Sequence, residues 1–166
     1  MTAKPTYPLG PPLTGALTRI PAEAVHARMV ADLHAAGFAD LVPAHLAVLR
    51  YPGPENRRPG ELAAEAHMTK QAMNYLLGQM EDLGYLTRDG DPDDQRFKRI
   101  QLTERGHAVA QAIRQSVAQI EAELERELGA KRFDELRRLL IELNGTRFVQ
   151  DFHAGTPRAS PVDHRS

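Results

Sequence analysis

Apolar residues recur at helix-compatible intervals from Leu17 onward, whereas the preceding stretch shows little periodicity. The repeating apolar positions are Leu17, Ile20, Val25, Met29 and Leu33. Pro21 is tolerable near the first turn of such a helix, and Gly37 is a suitable end because glycine readily adopts a left-handed conformation. We therefore predict a first helix within residues 17–37, preceded by a flexible, proline-rich arm over residues 1–16.

The next segment predicts three short helices separated by turns. A proline opens the first, over residues 43–50, before three prolines and a glycine indicate a loop over residues 51–59. An alanine-rich helix follows over residues 59–66. The third helix begins after Thr69, whose side chain can cap the first turn, and ends at Gly84.

A change to strand-like spacing predicts a β-hairpin after this helix. Residues 85–88 favour one strand, residues 89–94 a tight turn and residues 97–102 the returning strand. Thr103 then caps a long helix that extends to about Leu128, and a final helix follows. The apolar stripes of these two helices are Val109, Ile113, Val117, Ile120, Leu124 and Leu128, and then Phe133, Leu136, Leu140 and Leu143. The predicted fold is mainly α with a small β-hairpin wing.

The composition supports one folded unit and removes several classes of function. Hydrophobic residues make up 42% of the 166 and charged residues 26%, which is ordinary for a folded protein. The absence of cysteine removes disulfides, thiolate metal ligands and cysteine-based redox sensing. No apolar run approaches the roughly 18 residues that span a bilayer, and the prolines of residues 1–12 are incompatible with a signal peptide. We therefore expect a cytoplasmic protein with no membrane partner.

Two short helices joined by a tight turn and followed by a hairpin form the element order of a winged helix-turn-helix. In that arrangement the second helix enters the major groove of DNA, where each base pair shows distinct donors and acceptors. The candidate DNA-contacting residues on this helix are Thr69, Lys70, Gln71, Asn74 and Tyr75. Because the net charge is only −1, positive charge for DNA must be local, and Arg57 and Arg58 are candidates for the DNA backbone. From composition alone, a solvated helix face is an equally good interpretation.

Two stretches of the sequence are more specific. Residues 91–106 contain Asp-x-Arg followed by Leu-Thr-x-x-Gly, and the two short helices contain Gly60-Glu-Leu-Ala and Met68-Thr-Lys-Gln-Ala-Met-Asn-Tyr-Leu-Leu. On these motifs, residues 43–106 resemble the multiple antibiotic resistance regulator (MarR) family, whose members are winged helix-turn-helix transcriptional regulators.

The resemblance implies that Arg96 lies at the wing tip and reaches the minor groove, with Asp94 orienting it by a charge-assisted hydrogen bond. Lys98 is the further DNA-binding candidate on the wing. This chain departs from the family at Gln95, where a second arginine is common, and at Gly78 within the recognition helix, which costs about 1 kcal/mol relative to alanine. Gly78 marks either a close helix approach or a kink.

The resemblance also implies a homodimer whose partner is double-stranded DNA. The apolar stripes outside the winged segment support a dimer independently, because they are too extensive for the small winged domain to cover. We assign residues 17–37 and 103–147 to a helical dimerisation region, residues 43–102 to the DNA-binding domain, and residues 148–166 to a C-terminal tail. A twofold dimer predicts an inverted-repeat operator, and we expect a repressor.

A small aromatic ligand is a further partner suggested by the resemblance. Bound between the first, second and fifth helices, it would alter the distance between the two recognition helices and shift the dimer away from its DNA-binding geometry. The candidate pocket residues are His26, Met29, His45, Leu49 and Tyr51.

Calcium binding is weakly supported by the turn of the wing. Asp89, Asp91 and Asp93 alternate as in the start of an EF-hand loop. However, Asp94 occupies the position that needs glycine, and Ile100 occupies the position that needs glutamate. We therefore predict no calcium site.

Catalysis and other metal sites have no support in the sequence. No two of the seven histidines lie three or four residues apart, although His26, His34 and His45 could converge in space. We find no arrangement of nucleophile and base, no phosphate loop and no cofactor fingerprint, and so we predict no enzyme, no metal and no cofactor. The main alternative is a winged-helix module used only for protein contacts.

Overall fold

The computed structural model describes residues 13–90 and 98–153, and within them the chain is mainly helical with one antiparallel hairpin. In chain order the elements are α1 (Thr14–Ala35), a 3-10 helix (Pro43–Ala47), α2 (Pro59–Glu65), α3 (Lys70–Asp82), β1 (Leu86–Gly90), β2 (Lys98–Leu102), α4 (Glu104–Leu128), α5 (Ala130–Asn144) and α6 (Arg147–His153). This is the order of a winged helix-turn-helix with additional helices on both sides, so the predicted fold class is confirmed.

The first helix begins three residues earlier than predicted. The carbonyl of Leu13 accepts a hydrogen bond from the N–H of Leu17 at 3.1 Å, so a helical turn is complete where the prediction placed the helix start. Residues 14–16 are therefore helical and not part of an arm, and Pro21 lies inside the helix instead of near its first turn. The rest of the predicted arm, residues 1–12, lies outside the described residues.

The second predicted helix is shorter and tighter than expected. Only Pro43–Ala47 is helical, in the 3-10 form, and the prediction over residues 43–50 was too long. Val48 and Leu49 turn into the core, with exposures of 0% and 8%. Val42 has no side-chain oxygen with which to cap this turn, and instead its own N–H donates to Nδ1 of His45 at 3.3 Å.

The caps predicted for the recognition helix are present. The side-chain oxygen of Thr69 accepts a hydrogen bond from the N–H of Ala72 at 3.1 Å, which satisfies one of the free donors of the first turn. Gly84 follows the helix with a φ of +75°, a left-handed conformation that glycine adopts without steric cost. Between these ends α3 is continuous, and its apolar side faces the core.

The hairpin extends further toward its tip than predicted. Leu86 pairs with Leu102 at the base, and Asp89 and Gly90, which were predicted to lie in the turn, pair with Arg99 and Lys98. The correction follows from ladder pairing, since each of these residues has a partner on the other strand. Residues 91–97, which include the rest of the predicted turn, lie outside the described residues.

The chain divides into two compact units, Met1–Ile120 and Glu121–Ser166. The first contains the main core, to which α1, α2, α3, α4 and both strands contribute. Its fully buried large side chains are Tyr85, Leu33, Met73, Leu77, Met80, Leu86, Ile100, Val48 and Val109. This core holds the helix pair and the hairpin base in one body.

The second unit contains the end of α4, α5 and α6. Phe133 is buried at 8% exposure, but much of the apolar surface of α5 and α6 is exposed. The exposed large side chains there are Leu124, Leu136, Leu139, Leu140, Ile141, Phe148 and Phe152. Residues 148–153 belong to a helix, so the prediction of a tail over residues 148–166 was wrong for its first part.

Candidate nucleic-acid interface

The recognition helix α3 separates its residues cleanly into a buried and an exposed side. Met73, Leu76, Leu77 and Met80 are buried at 0 to 6% exposure. The five residues predicted to contact DNA are all exposed: Thr69, Lys70, Gln71, Asn74 and Tyr75. The sequence pattern produces this division because apolar residues three and four apart share one helix face. The structure thus brings the five candidates together at the start of one helix.

The exposed side chains differ in what they already contact. Thr69 is engaged as the helix cap, although its hydroxyl proton remains available as a donor. Within the part of the chain that the structure describes, no hydrogen bond or ion pair engages the side chain of Lys70, Gln71 or Asn74. Tyr75 is 68% exposed, and its hydroxyl oxygen accepts a hydrogen bond from Nε2 of Gln79 at 3.2 Å.

Gly78 lies on the half-buried side of α3. A Cβ added at this position would meet nothing within 4 Å. The alternative of a close helix approach at Gly78 is therefore wrong for the described residues.

Arg57 and Arg58 precede α2, and both are half-buried. Arg57 pairs with Glu65 at 2.9 Å and with Glu61 at 3.5 Å, and its side chain is 27% exposed. It would have to leave these carboxylates to contact a phosphate, so we do not retain it among the DNA contacts proposed below. The backbone N–H of Arg58 donates to Oε2 of Glu61 at 3.0 Å, which satisfies a donor at the start of α2. Arg58 stays a prediction as a backbone contact.

The base of the wing is anchored on two sides. On one side, Arg88 of β1 forms an ion pair with Glu81 of α3. On the other, the N–H of Ile100 donates to the carbonyl of Arg57 at 3.0 Å, and the N–H of Asn56 donates to the carbonyl of Ile100 at 2.8 Å. The loop before α2 thus adds backbone hydrogen bonds to the outer edge of β2, which limits motion of the hairpin base relative to α3.

The wing candidates are only partly within the described residues. Lys98 is exposed at the start of β2, where it pairs with Gly90. Asp94 and Arg96 lie outside the described residues, so the expected wing-tip contact stays a prediction.

A polar cluster that the sequence did not indicate joins α3 to α4. The Tyr85 hydroxyl donates to Oδ1 of Asp40 at 2.6 Å, and Nη2 of Arg105 donates to Oδ2 of the same carboxylate at 2.8 Å. The Arg105 guanidinium also lies 4.3 Å from the centre of the Tyr85 ring, within range of a cation–π interaction. The Tyr85 hydrogen bond, assisted by Arg105, holds the pKa of Asp40 below its usual value although burial opposes this. Burial, and then the Asp40 carboxylate, raise the pKa of Tyr85 to about 12.

The Leu-Thr-x-x-Gly motif gains a structural explanation from the same junction. Thr103 donates its hydroxyl to the carbonyl of Gly84 at 2.7 Å and accepts from the N–H of Gly106 at 3.1 Å, so it caps α4 as predicted. A Cβ added at Gly106 would lie 2.0 Å from the carbonyl oxygen of Tyr85. Only glycine allows α4 to approach the end of α3 this closely. The motif therefore allows the close contact between α4 and the residues that follow α3.

The five predicted pocket residues lie in different environments within the described part of the chain. His26 alone borders an open groove of about 590 Å³, together with Arg19, Glu23, Val30 and Pro43 and with two alanines of α1. The other four lie elsewhere: His45 and Leu49 are buried in the core, Met29 packs against it, and Tyr51 is 90% exposed. The ligand pocket therefore stays a prediction.

Histidines do not converge on a metal in this structure. His26 lies 3.4 Å from the carbonyl oxygen of Pro43, His34 lies 2.7 Å from that of Leu41, and His45 lies 3.2 Å from Oε1 of Gln79. Across residues 13–90 and 98–153, no group of three or more potential ligands could hold a metal ion. In the same residues, no helix is long and apolar enough to cross a membrane.

Known proteins resemble the segment that carries this surface. The sequence model of the MarR family matches residues 39–96. The exopolysaccharide II synthesis transcriptional activator ExpG of Rhizobium meliloti is 32% identical over 84 residues, which are 51% of this chain and 43% of ExpG. The HTH-type transcriptional repressor Rv2887 of Mycobacterium tuberculosis is 35% identical over 83 residues, which are 50% of this chain and 60% of Rv2887. The chain thus spans about half the length of these curated relatives.

Solved structures extend the similarity to the flanking helices. The transcriptional repressor CouR, bound to a 23-mer DNA duplex, has a TM-score of 0.62 at 21% identity and covers 79% of this chain and 92% of its own, which supports the fold. The Mycobacterium tuberculosis MarR family protein Rv2887 in complex with salicylic acid has a TM-score of 0.59 at 30% identity. That comparison covers 81% of this chain and 97% of Rv2887. The family-model match, together with 30% identity to Rv2887 over 97% of that chain, leads to one conclusion: the chain belongs to the MarR family.

Proposed function

We propose that this chain is a sequence-specific, DNA-binding transcriptional regulator that acts as a homodimer on an inverted-repeat operator. The observation that carries the proposal is the exposed polar start of α3 on a fully buried apolar base, beside an anchored hairpin. A rigid helix with uncommitted amide and ammonium groups can enter a major groove without first breaking internal contacts. The small net charge of −1 implies that affinity comes from a few placed contacts, not from a general positive field.

The proposed contacts follow from the chemistry of each side chain. Asn74 and Gln71 each present an amide that can bond adenine at two positions, and Lys70 can reach a guanine or a phosphate. Thr69 and Tyr75 carry hydroxyls suited to phosphate oxygens. On the wing, Lys98 and Arg96 would contact the adjacent minor groove, with Asp94 orienting Arg96.

A homodimer is supported by apolar surface that the chain leaves exposed. On α1, Leu17 is 54% exposed and Ile20 is 50% exposed, and in the second unit α5 exposes Leu139 at 50% and Ile141 at 68%. Side chains of this size are seldom left in water in such number unless a partner covers them. The expected mass in solution is twice the 18.4 kDa of the chain, and a monomer that persists at micromolar concentration would contradict the dimer.

Repression and release by a ligand are further parts of the proposal. Rv2887 is named a repressor and has been crystallised with salicylic acid, which supports an aromatic acid as the class of effector to test here. A ligand that binds one dimer geometry more tightly would shift the population away from DNA binding, and a few kcal/mol of differential affinity suffice. Titration of aromatic acids against the DNA complex tests this, and an unchanged DNA affinity across the panel would contradict it.

The DNA-binding proposal is tested with duplexes enriched from a random pool by the immobilised wild-type protein. Binding of the enriched, fluorescently labelled duplex is then followed at several salt concentrations. Asn74→Ala should relax base preference at one position by about 1 to 3 kcal/mol, and Arg96→Ala should weaken binding without unfolding the dimer. Gln111→Ala, an exposed amide on α4, is the matched control and should bind as the wild type does.

Failure of this experiment would have a clear meaning. If the wild-type protein enriches no sequence and shows no salt-sensitive binding, the winged helix serves protein contacts and not DNA. We propose no catalytic activity for this chain, in line with relatives that are named transcriptional regulators. Its place of action would be the cytoplasm, where the chromosome of a bacterium lies.

A further inference from the structure

A row of hydrogen bonds connects the buried 3-10 helix to the exposed face of α3. The backbone N–H of Val42 lies 3.3 Å from Nδ1 of His45, and Nε2 of His45 lies 3.2 Å from Oε1 of Gln79. Nε2 of Gln79 lies 3.2 Å from the hydroxyl oxygen of Tyr75. His45 is 3% exposed, whereas Tyr75 is 68% exposed, so the row passes from the core to the surface.

The chemistry of the first group sets the direction of every bond in the row. A backbone N–H can only donate, so Nδ1 of His45 accepts and the proton of the neutral ring is on Nε2. That N–H donates to the carbonyl oxygen of the Gln79 side chain, which leaves the amide NH₂ facing Tyr75. The Tyr75 hydroxyl oxygen therefore accepts, and its own proton is left for an acceptor outside the protein.

The opposite direction is costly at the contact between His45 and Gln79. If the Gln79 amide rotated by half a turn, its NH₂ would face the N–H of His45, and its oxygen would face Tyr75. Two donors would then oppose each other, and the N–H of the buried His45 ring would be left without an acceptor, which is unfavourable. All hydrogen bonds of the row therefore run in one direction, and they leave the Tyr75 hydroxyl as a donor at the protein surface.

We propose that His45 and Gln79 are positioning residues that hold the Tyr75 hydroxyl as a hydrogen-bond donor toward a DNA phosphate. A phosphate oxygen has lone pairs and no proton, so it is bound by a hydroxyl that donates and not by one that accepts. The inference rests on the proposed DNA binding and adds a role for His45, which the sequence alone placed in a ligand pocket.

The test compares three variants of the full chain on the duplex enriched by the wild-type protein. Tyr75→Phe removes only the exposed hydroxyl and should lower DNA affinity roughly tenfold, the scale of one hydrogen bond to a charged group. Gln79→Met keeps the length of the side chain but removes the amide, and should lower affinity about threefold or more by freeing the hydroxyl to rotate. The double variant should bind no more weakly than Tyr75→Phe alone, since both changes act through one hydroxyl.

Salt dependence separates this contact from a cationic one. A neutral hydroxyl releases no counterion, so Tyr75→Phe should lower affinity while the slope of log affinity against log salt stays that of the wild type. Lys70→Met, which removes an exposed cation at the start of the same helix, should reduce that slope by about one. Gln111→Met on α4 is the control for the loss of an amide.

The outcomes distinguish the inference from the function on which it rests. If the wild type binds the duplex but Tyr75→Phe binds equally well, the row of hydrogen bonds has no role in DNA contact. If Gln79→Met weakens binding by the same factor with and without the Tyr75 hydroxyl, its role is structural and the inference is wrong. If the wild type enriches no duplex at all, the DNA-binding function itself fails, and the inference fails with it.

Discussion

The hydroxyl of Tyr85 donates a hydrogen bond to the carboxylate of Asp40 at 2.6 Å, across 45 positions of sequence. The bond ties the residue that follows the recognition helix to the loop that follows α1. Arg105 of α4 completes the cluster, so three segments meet at one carboxylate. A movement of α4 would therefore be transmitted directly to the end of α3. The ionisations of Asp40 and Tyr85 can both be measured.

Acid should weaken the protein partly through Asp40. The Tyr85 hydroxyl, and then Arg105, lower the pKa of Asp40 in the folded state. Because the pKa of Asp40 is lower in the folded state than in the unfolded state, the ionised carboxylate stabilises the fold. This stabilisation is complete above the unfolded pKa of about 4, and it is lost as the pH falls through the lowered folded pKa. Urea unfolding of the wild type and Asp40→Asn should therefore differ most near pH 6, and the difference should shrink below pH 4. A difference that stays constant to pH 3 would contradict the assignment.

Alkali should act on the same junction through Tyr85. Burial and the Asp40 carboxylate raise its pKa to about 12, above the unfolded value of about 10. The stabilisation is complete below pH 10 and is lost as the pH rises from 10 through 12. Absorbance titration at the phenolate band should show a late ionisation near pH 12, and Tyr85→Phe should remove that step. An unchanged titration curve in this variant would show that the late tyrosine is a different one.

Gly106→Ala should destabilise the fold by about 2 to 3 kcal/mol. The added Cβ would lie 2.0 Å from the carbonyl oxygen of Tyr85, and backbone cannot move aside as a flexible side chain can. The free energy of unfolding from urea titration checks this. A loss below about 0.5 kcal/mol would mean that α4 can shift without cost, and that the junction is not tight.

Gly78→Ala, at a glycine within α3, should have the opposite effect on stability from Gly106→Ala. A Cβ at this position meets nothing within 4 Å, so only the backbone preference changes. We expect stabilisation of up to about 1 kcal/mol, measured in the same urea titrations. Destabilisation by this variant would reveal a neighbour that the single chain does not show, such as a partner subunit.

Thr69→Ala should cost about 1 kcal/mol, because the N–H of Ala72 loses the cap oxygen at 3.1 Å. Thr69→Ser retains the oxygen and should keep the stability of the wild type. Thermal unfolding of the two variants measures the cap, and DNA affinity of Thr69→Ser measures any separate contribution of the methyl group. Equal melting temperatures for Thr69→Ala and Thr69→Ser would contradict a capping role.

Local features of the sequence predicted a large part of this fold. The caps at Thr69 and Thr103 and the glycine end at Gly84 depend on residues within about four positions, and each was predicted in the right place. The same holds for the amphipathic pattern of α3. Errors were concentrated at boundaries. One is the start of α1, and another is the end of β1, where pairing with β2 extends the strand to Gly90.

The candidate site divides in the same way between local and distant causes. The exposed positions Lys70, Gln71 and Asn74 follow from helical periodicity alone. The burial of His45 and Leu49 and the exposure of Tyr51 depend on how the loops pack, which no local pattern records.

The sequence by itself thus determined the elements, their caps and the face of α3 that meets solvent, because these depend on short-range hydrogen bonds and on the period of the helix. Only the tertiary structure decided what His45, Tyr85 and Gly106 do. Their partners lie 34 positions away at Gln79, 45 positions away at Asp40, and across the junction with the Tyr85 carbonyl. Contacts of this kind exist only once the core has closed, since hydrophobic burial, and not local preference, brings the segments together.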